Sequence, residues 1–221
     1  MINQRKHDSQ TSHIYKYVLV ILAVFLAVML TACGASGSGQ EKSKSTSSSK
    51  SSGTVSESRA KKNGKTLVVY FSATGTTEKV AKKIGEIEDA TLYRIVPAKS
   101  YSKEDLDYND SNSRTSKEQK DSSVRPKIKN SLPDLSQYTK VYVGYPIWWG
   151  EEPRIIDTFV EHSDFHHIDV IPFCTSSGSG IETSERNLAK LAGSGHWISG
   201  KQFSGDASVD ELRSWIDETR E

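Results

Sequence analysis

Long apolar runs are scarce in this chain. The run from Val18 to Leu30 has about 13 residues, which suits the core of a signal peptide and is short for a spanning helix. Charge excess is also missing. The net charge is +1 overall, and residues 64–221 alone carry 20 Lys and Arg against 25 Asp and Glu. A mildly acidic domain of this kind offers no nucleic-acid-binding surface. Cysteine is reduced to Cys33 and Cys174. No Cys/His/carboxylate cluster has metal-ligand spacing, so no metal site is expected. His166-His167 reads as a solvated pair after a helix. No nucleophile elbow and no evident acid/base constellation occurs, so no side chain is singled out as catalytic.

The first 63 residues read as an export and tethering segment. Basic residues Arg5, Lys6 and Lys16 precede the short apolar core. Leu30-Thr31-Ala32-Cys33 then matches the bacterial lipobox pattern L-x-[A/G]-C. Residues 1–32 are expected to be a lipoprotein signal peptide, with Cys33 carrying the lipid; an uncleaved membrane anchor is the alternative. With Cys33 lipidated, no disulfide remains available within the mature chain. Residues 33–63 are rich in Ser, Gly and Lys, and cannot bury enough apolar surface to offset their ordering entropy. They read as a flexible tether with a root-mean-square reach of roughly 30 Å. Either reading places the remainder outside the cytoplasmic membrane, anchored to it.

Residues 64–221 are long enough to bury a full core as one domain. Leu67 to Phe71 is a continuous apolar run, as a strand buried on both faces requires. Ser72-Ala73-Thr74-Gly75-Thr76-Thr77 follows. Val80, Ala81, Ile84 and Ile87 then recur at helical spacing, so a helix starts near Thr76 or Thr77. Its free N–H groups and positive dipole end favour a phosphate or carboxylate in the loop. Gly75 lets the backbone approach closely, and Ser72, Thr74, Thr76 and Thr77 add hydroxyl donors. The loop lacks the Gly-Lys-Ser/Thr of a triphosphate loop. Its single glycine also excludes a dinucleotide fingerprint. It suits one terminal phosphate monoester, or a plain Ser/Thr helix cap without a ligand.

Thr91 to Val96 reads as a short strand stopped by Pro97. Ala98 to Asn130 is polar and charged, an unusually long connection that signals a functional or mobile role. A short helix capped by Ser102 is expected over Ser102 to Asp107. Tyr101, Tyr108 and Arg114 lie within this stretch, with no spacing that requires a ligand. Val141 to Pro146 is a further buried strand, running into Ile147-Trp148-Trp149-Gly150. Adjacent side chains on a strand point to opposite faces. At least one of the two indoles is therefore expected at the rim, where it could stack on a planar ring. A helix over Arg154 to His162 follows Pro153. Val170 to Cys174 is the fourth strand, in which Pro172 is awkward and calls for a bulge or shifted pairing. Thr175-Ser176-Ser177-Gly178-Ser179-Gly180 is a second hydroxyl- and glycine-rich strand-to-helix loop. A helix from Ile181, a short strand near His196 to Ile198 and a last helix over Val209 to Thr219 complete the chain.

Strands alternating with helices predict an α/β fold: a doubly wound five-stranded parallel sheet in the order 2-1-3-4-5 with helices on both faces. That order brings the loops after strands 1, 3 and 4 around one crevice.

The three segments together resemble the flavodoxin family over nearly all of residues 64–221. They are the loop Ser72 to Thr77, the G-Y-P-I-W-W segment Gly144 to Trp149, and the T-S-x-G-S-G segment Thr175 to Gly180. The resemblance implies noncovalent FMN. Ser72, Thr74, Gly75, Thr76 and Thr77 would hold its phosphate. Pro146 and Ile147 would line the site, with Trp148, or else Trp149, covering the isoalloxazine. Thr175, Ser176, Ser177, Gly178 and Ser179 would meet the ring's pyrimidine edge. Well-studied flavodoxins often sandwich the ring with a second aromatic from the loop after strand 4. This chain has none there, which leaves that face open or covered by the Ala98–Asn130 segment. The implied function is membrane-tethered electron transfer between redox protein partners. The alternatives are an NAD(P)H- or quinol-dependent FMN oxidoreductase acting on a small redox substrate, and a ligand-binding module that uses no flavin.

Overall fold

The structure, a computed structural model, describes residues 64–220. The expected signal peptide, Cys33 and the tether lie outside the described residues. Among the described residues, no helix is long and apolar enough to cross a membrane.

The sheet is built from β1 (Lys65–Tyr70), β2 (Thr91–Arg94), β3 (Tyr138–Pro146), β4 (Asp169–Thr175), β5 (His196–Trp197) and β6 (Lys201–Phe203). The helices are α1 (Thr76–Glu88), α2 (Arg114–Lys120), α3 (Arg154–Glu161), α4 (Glu182–Ala192) and α5 (Val209–Glu218). A single 3-10 turn, Leu135–Gln137, leads into β3. The strand order is β2-β1-β3-β4-β5, with β6 also paired to β4. Every strand pair is parallel. The expected doubly wound order is therefore present, with one strand more than expected.

Pro172 accounts for the additional strand. Ile198 N donates to Val170 O at 2.9 Å, and Ser176 N donates to Phe203 O at 3.1 Å. Alternate residues of β4 thus turn their polar edges toward the fifth position, and Pro172 is among them. It has no N–H to offer there. The neighbouring chain breaks opposite it, into β5 and β6, and Gly200 sits in the gap. A Cβ on Gly200 would lie 2.4 Å from Pro172 O. Pairing on the other side of Pro172 stays regular, with Val143 opposite it on β3. The interruption expected from this proline falls on its neighbour rather than on β4.

Strand alternation sorts the core into two layers. Leu67, Val69, Phe71, Val141, Val143, Tyr145 and Val170 face α3 and α4, where Ile155, Ile156, Phe159, Val160 and Leu188 meet them. Val68, Tyr70, Tyr142, Ile171 and Phe173 face α1 and α5, against Val80, Ala81, Ile84, Leu212, Trp215 and Ile216. Truncating any one of these aliphatic side chains to Ala costs about 2–5 kcal/mol, the range for well-packed cores.

The long Ala98–Asn130 connection is built rather than loose. Pro97 and Ile128 form an antiparallel bridge that closes its base. Ser102 caps a turn as expected, its Oγ accepting from Asp105 N at 3.1 Å while Ser102 N donates to the Asp105 carboxylate at 3.1 Å. Only one turn forms there, not a helix. The helix of this segment is α2, started by Ser113 accepting from Ser116 N.

Candidate functional site

The carboxyl ends of β1 and β3 open onto a cleft of about 380 Å³. Its walls are Ser72, Ala73, Thr74, Thr76 and Thr77 on one side and Pro146, Ile147, Trp148 and Trp149 on the other. Leu106, Tyr108 and Thr115, from the long connection, close it from a third direction. A crevice outside the strand ends, where the order reverses between β1 and β3, is the usual ligand position in such sheets.

Gly75 occupies the position before α1 with φ +89°, and no side chain caps the helix. Such a left-handed φ strongly favours glycine. Lys79 N already bonds Gly75 O at 3.2 Å. The N–H groups of Thr76, Thr77 and Glu78 precede any intrahelical partner and open toward the loop. Ser72 is buried, and its Oγ accepts from Gly75 N at 3.0 Å, which fixes the loop. Thr74 and Thr76 hydroxyls lie 3.4 Å apart. Thr77 differs from them: it is buried, and its hydroxyl pairs with that of Thr175 at 2.8 Å.

One carboxylate stands near this anion-favouring end. Glu78, in the first turn of α1, is drawn aside by Lys82 at 2.7 Å and Arg94 at 3.4 Å. The Lys82 hydrogen bond holds its carboxyl below the usual range. Arg94 also reaches Ser72 O at 3.5 Å. Two cations for one acid leave the local balance positive.

The two tryptophans have different surroundings. Trp148 stands edge-on to Phe71 at 5.7 Å and to Tyr101 at 5.3 Å, inside an aromatic cluster. Trp149 is 49% exposed. A tight antiparallel turn carries it, closed by Trp148 N to Glu151 O at 2.9 Å and Glu151 N to Trp148 O at 3.1 Å. Its central residues, Trp149 and Gly150, have φ +50° and +84°. Two positive φ values define the turn that matches strand twist. Glycine is at ease there, whereas a bulky residue is strained.

Buried polar groups hold this turn from below. Gln119 of α2 donates to Trp148 O at 3.2 Å and to Glu152 O at 3.1 Å. Arg154 donates to Gln119 O at 3.2 Å and to Glu151 Oε2 at 2.5 Å. It lies 3.4 Å from Asp157 and 3.9 Å from Glu152. Glu152, Arg154 and Asp157 are all buried. Burial pushes the Glu152 carboxyl up to about 8, and burial raises Asp157 as well.

The third loop stands apart from the cleft walls. Thr175 is buried and joined to Thr77. Ser176 Oγ accepts from Gly178 N at 3.1 Å and Ser179 N at 2.8 Å, shaping a small exposed turn over Ser177, Gly178 and Ser179. Gln202 of β6 donates to Ser176 O at 2.7 Å, so the unexpected strand anchors this loop. Cys174 is buried, and burial raises its thiol to about 12, which keeps it unreactive. His166 is exposed and pairs with Asp164. Among the described residues, no group of three or more His, Cys, Asp or Glu could hold a metal ion.

Sequence reading did not single out Leu106 and Thr115 for the site, and it left Tyr108 unassigned. Leu106 and Tyr108 stood out only by apolar or aromatic character in an otherwise polar stretch, and Thr115 gave no signal.

Fold and cleft together define a doubly wound α/β protein with a cleft at the carboxyl ends of its central strands. A family model described as flavodoxin matches residues 65–219, and the chain belongs to the flavodoxin family. Among solved structures, a candidate flavoprotein from Bacteroides eggerthii is similar, at 41% identity and TM-score 0.68, covering 72% of this chain and 99% of that one. Another from Bacteroides uniformis has 45% identity and TM-score 0.67, covering 70% and 98%. A flavoprotein from Lactobacillus acidophilus in complex with FMN shares the fold at 22% identity and TM-score 0.56, covering 72% and 99%. Comparison with curated proteins gave no match.

Proposed function

We propose that this flavodoxin-family chain binds FMN noncovalently and carries electrons between redox proteins, tethered by a lipid on Cys33 to the outer face of the bacterial cell membrane. One observation carries the cofactor reading. A single cleft joins an uncapped helix start, ringed by hydroxyls, to an exposed indole. That pairing fits a ligand with an anionic end and a flat end. The volume falls within the range for small-ligand sites. The similar fold that holds FMN in the Lactobacillus acidophilus protein adds support.

The residues divide the work. Backbone N–H groups of Thr76, Thr77 and Glu78 and the hydroxyls of Ser72, Thr74 and Thr76 would take the phosphate. Thr77 would contribute its N–H, because its hydroxyl is engaged with Thr175. Trp149 is the better placed indole for the ring, since Trp148 is committed to Phe71 and Tyr101. The bound flavin would supply the redox chemistry, and the protein its orientation and environment.

Carrier and reductase separate on one test. The FMN-loaded chain is mixed with NAD(P)H alone under anaerobic conditions. A carrier stays oxidised until a redox protein is added, whereas rapid bleaching by the nicotinamide contradicts the carrier reading. For the tether, cells fed a labelled fatty acid should label the parent chain and not Cys33→Ser. An unlabelled parent chain contradicts lipidation.

A further inference from the structure

Four large apolar side chains are notably exposed among the described residues: Leu92, Tyr108, Trp149 and Val209. Singly scattered apolar residues on a surface need no explanation. Two of these four are aromatic, however, and both line the same cleft. Tyr108 is 74% exposed. Its phenol has no hydrogen-bond partner and its ring no aromatic partner among the described residues.

The backbone that presents Tyr108 is nonetheless firmly held. Thr115 Oγ1 donates to Asp105 O at 2.7 Å, and Ser116 Oγ donates to Asp110 O at 2.8 Å. Asp110 O also accepts from Ser113 N at 3.0 Å. Asp107 and Asp110 side chains accept from Asn109 N and Asn112 N, at 2.9 and 2.8 Å. Tyr108 therefore stands at the apex of a short loop fastened at both flanks to α2. The same helix, through Gln119, grips the carbonyls on either side of the Trp149 turn. Both exposed aromatics are thus referred to one rigid element. An ordered loop that holds a tyrosine in water, beside a cleft whose other wall holds a tryptophan in water, leaves two flat surfaces unpaired.

We infer that Tyr108 covers the ligand ring on the face opposite Trp149, so that the long β2–β3 connection, and not the loop after β4, completes the ring site. This rests on the FMN reading above. Two aromatic faces suit a planar heteroaromatic ring because offset stacking and area burial add to one another. The loop after β4 has no aromatic residue to offer. Its exposed turn lies outside the cleft walls.

The test is an FMN titration of the purified full chain and four variants, Tyr108→Ala, Tyr108→Phe, Trp149→Ala and Val209→Ala, followed by flavin fluorescence. Tyr108→Ala and Trp149→Ala should each weaken binding about tenfold, the size of one lost stacking face. Tyr108→Phe should stay within about twofold, since the ring is what stacks. Val209→Ala, exposed but away from the cleft, should bind as the parent does. Bound flavin should fluoresce more strongly in Tyr108→Ala, because an aromatic in contact with the ring quenches it. Tyr108 is mostly in water and has no hydrogen-bond or ring partner among the described residues, so the melting temperature of the free Tyr108→Ala variant should stay close to the parent's. Parental affinity in Tyr108→Ala, with binding weakened in Trp149→Ala, would overturn the inference and leave the FMN reading standing. Failure of the unsubstituted chain to bind FMN would overturn both.

Discussion

The hydroxyl of Thr77, in the first turn of α1, lies 2.8 Å from that of Thr175, at the end of β4, and both are sequestered from water. Residues 98 positions apart are thereby joined at the floor of the site. The pair fixes the phosphate-side loop to the strand that leads into the third loop. Removing one hydroxyl strands the other. Thr77→Val or Thr175→Val alone should cost about 1–2 kcal/mol, while the double variant should recover much of that loss. Urea denaturation of the four proteins measures the coupling. Strict additivity would contradict the pairing.

Thr74 is the hydroxyl in the loop best placed to act on a ligand without a structural duty of its own. Among the described residues, its only hydrogen bond is the long one to Thr76. Thr74→Ala should therefore leave folding stability nearly unchanged and weaken FMN binding by about ten- to a hundredfold, the worth of one hydrogen bond to a charged group. Riboflavin, which lacks the phosphate, should bind parent and variant alike. An equal effect on both ligands would place the phosphate elsewhere.

The neighbouring tryptophans should behave differently on truncation. Trp148→Ala opens a gap beside Phe71 and Tyr101 and should cost about 2 kcal/mol of stability. Trp149→Ala should cost little stability, because its ring is half in water. It relieves strain at φ +50° only in part. Thermal unfolding without flavin separates the two. A larger loss from Trp149→Ala would show that its indole is a packing element.

Glu152 sets a pH dependence of stability. Its folded value is raised to about 8 by burial, above the ordinary carboxylate range. Asp157, Asn187, Arg154 and the neighbouring Glu151 surround it. A carboxyl whose folded value is raised keeps its proton in the folded state while the unfolded chain has lost it. Stability therefore falls as pH rises from the ordinary range through about 8, and levels off above. Asp157 is raised too and acts in the same direction. Glu152→Gln should flatten the decline and gain most at the alkaline end. Denaturant midpoints between pH 5 and 9 would check this, and an unchanged slope in the variant would contradict it.

The central sheet was legible because β1, β3 and β4 are apolar runs buried on both faces, and α1 and α3 carry clear apolar stripes. Three features were hidden for physical reasons. Helix α2, with the sequence RTSKEQK, has no apolar periodicity. It forms through the Ser113 cap and through tertiary bonds of Thr115, Glu118 and Gln119, the Glu118 carboxylate accepting from the Tyr101 hydroxyl. The split fifth strand answers to Pro172 on the adjacent strand, a cause outside its own sequence. The contrast between Trp148 and Trp149 depends on Tyr101, which approaches from a distant segment. Spacing alone left the choice between the two indoles open. The aromatic at position 108 was visible only as a tyrosine among charges.

The most direct test of the account is an absorption spectrum of the purified full chain after incubation with FMN and removal of free ligand. Retained flavin bands at about one equivalent are expected, with tryptophan fluorescence quenched through contact at Trp149. A colourless protein with unaltered tryptophan emission would contradict it, and would assign the cleft to another anionic ligand.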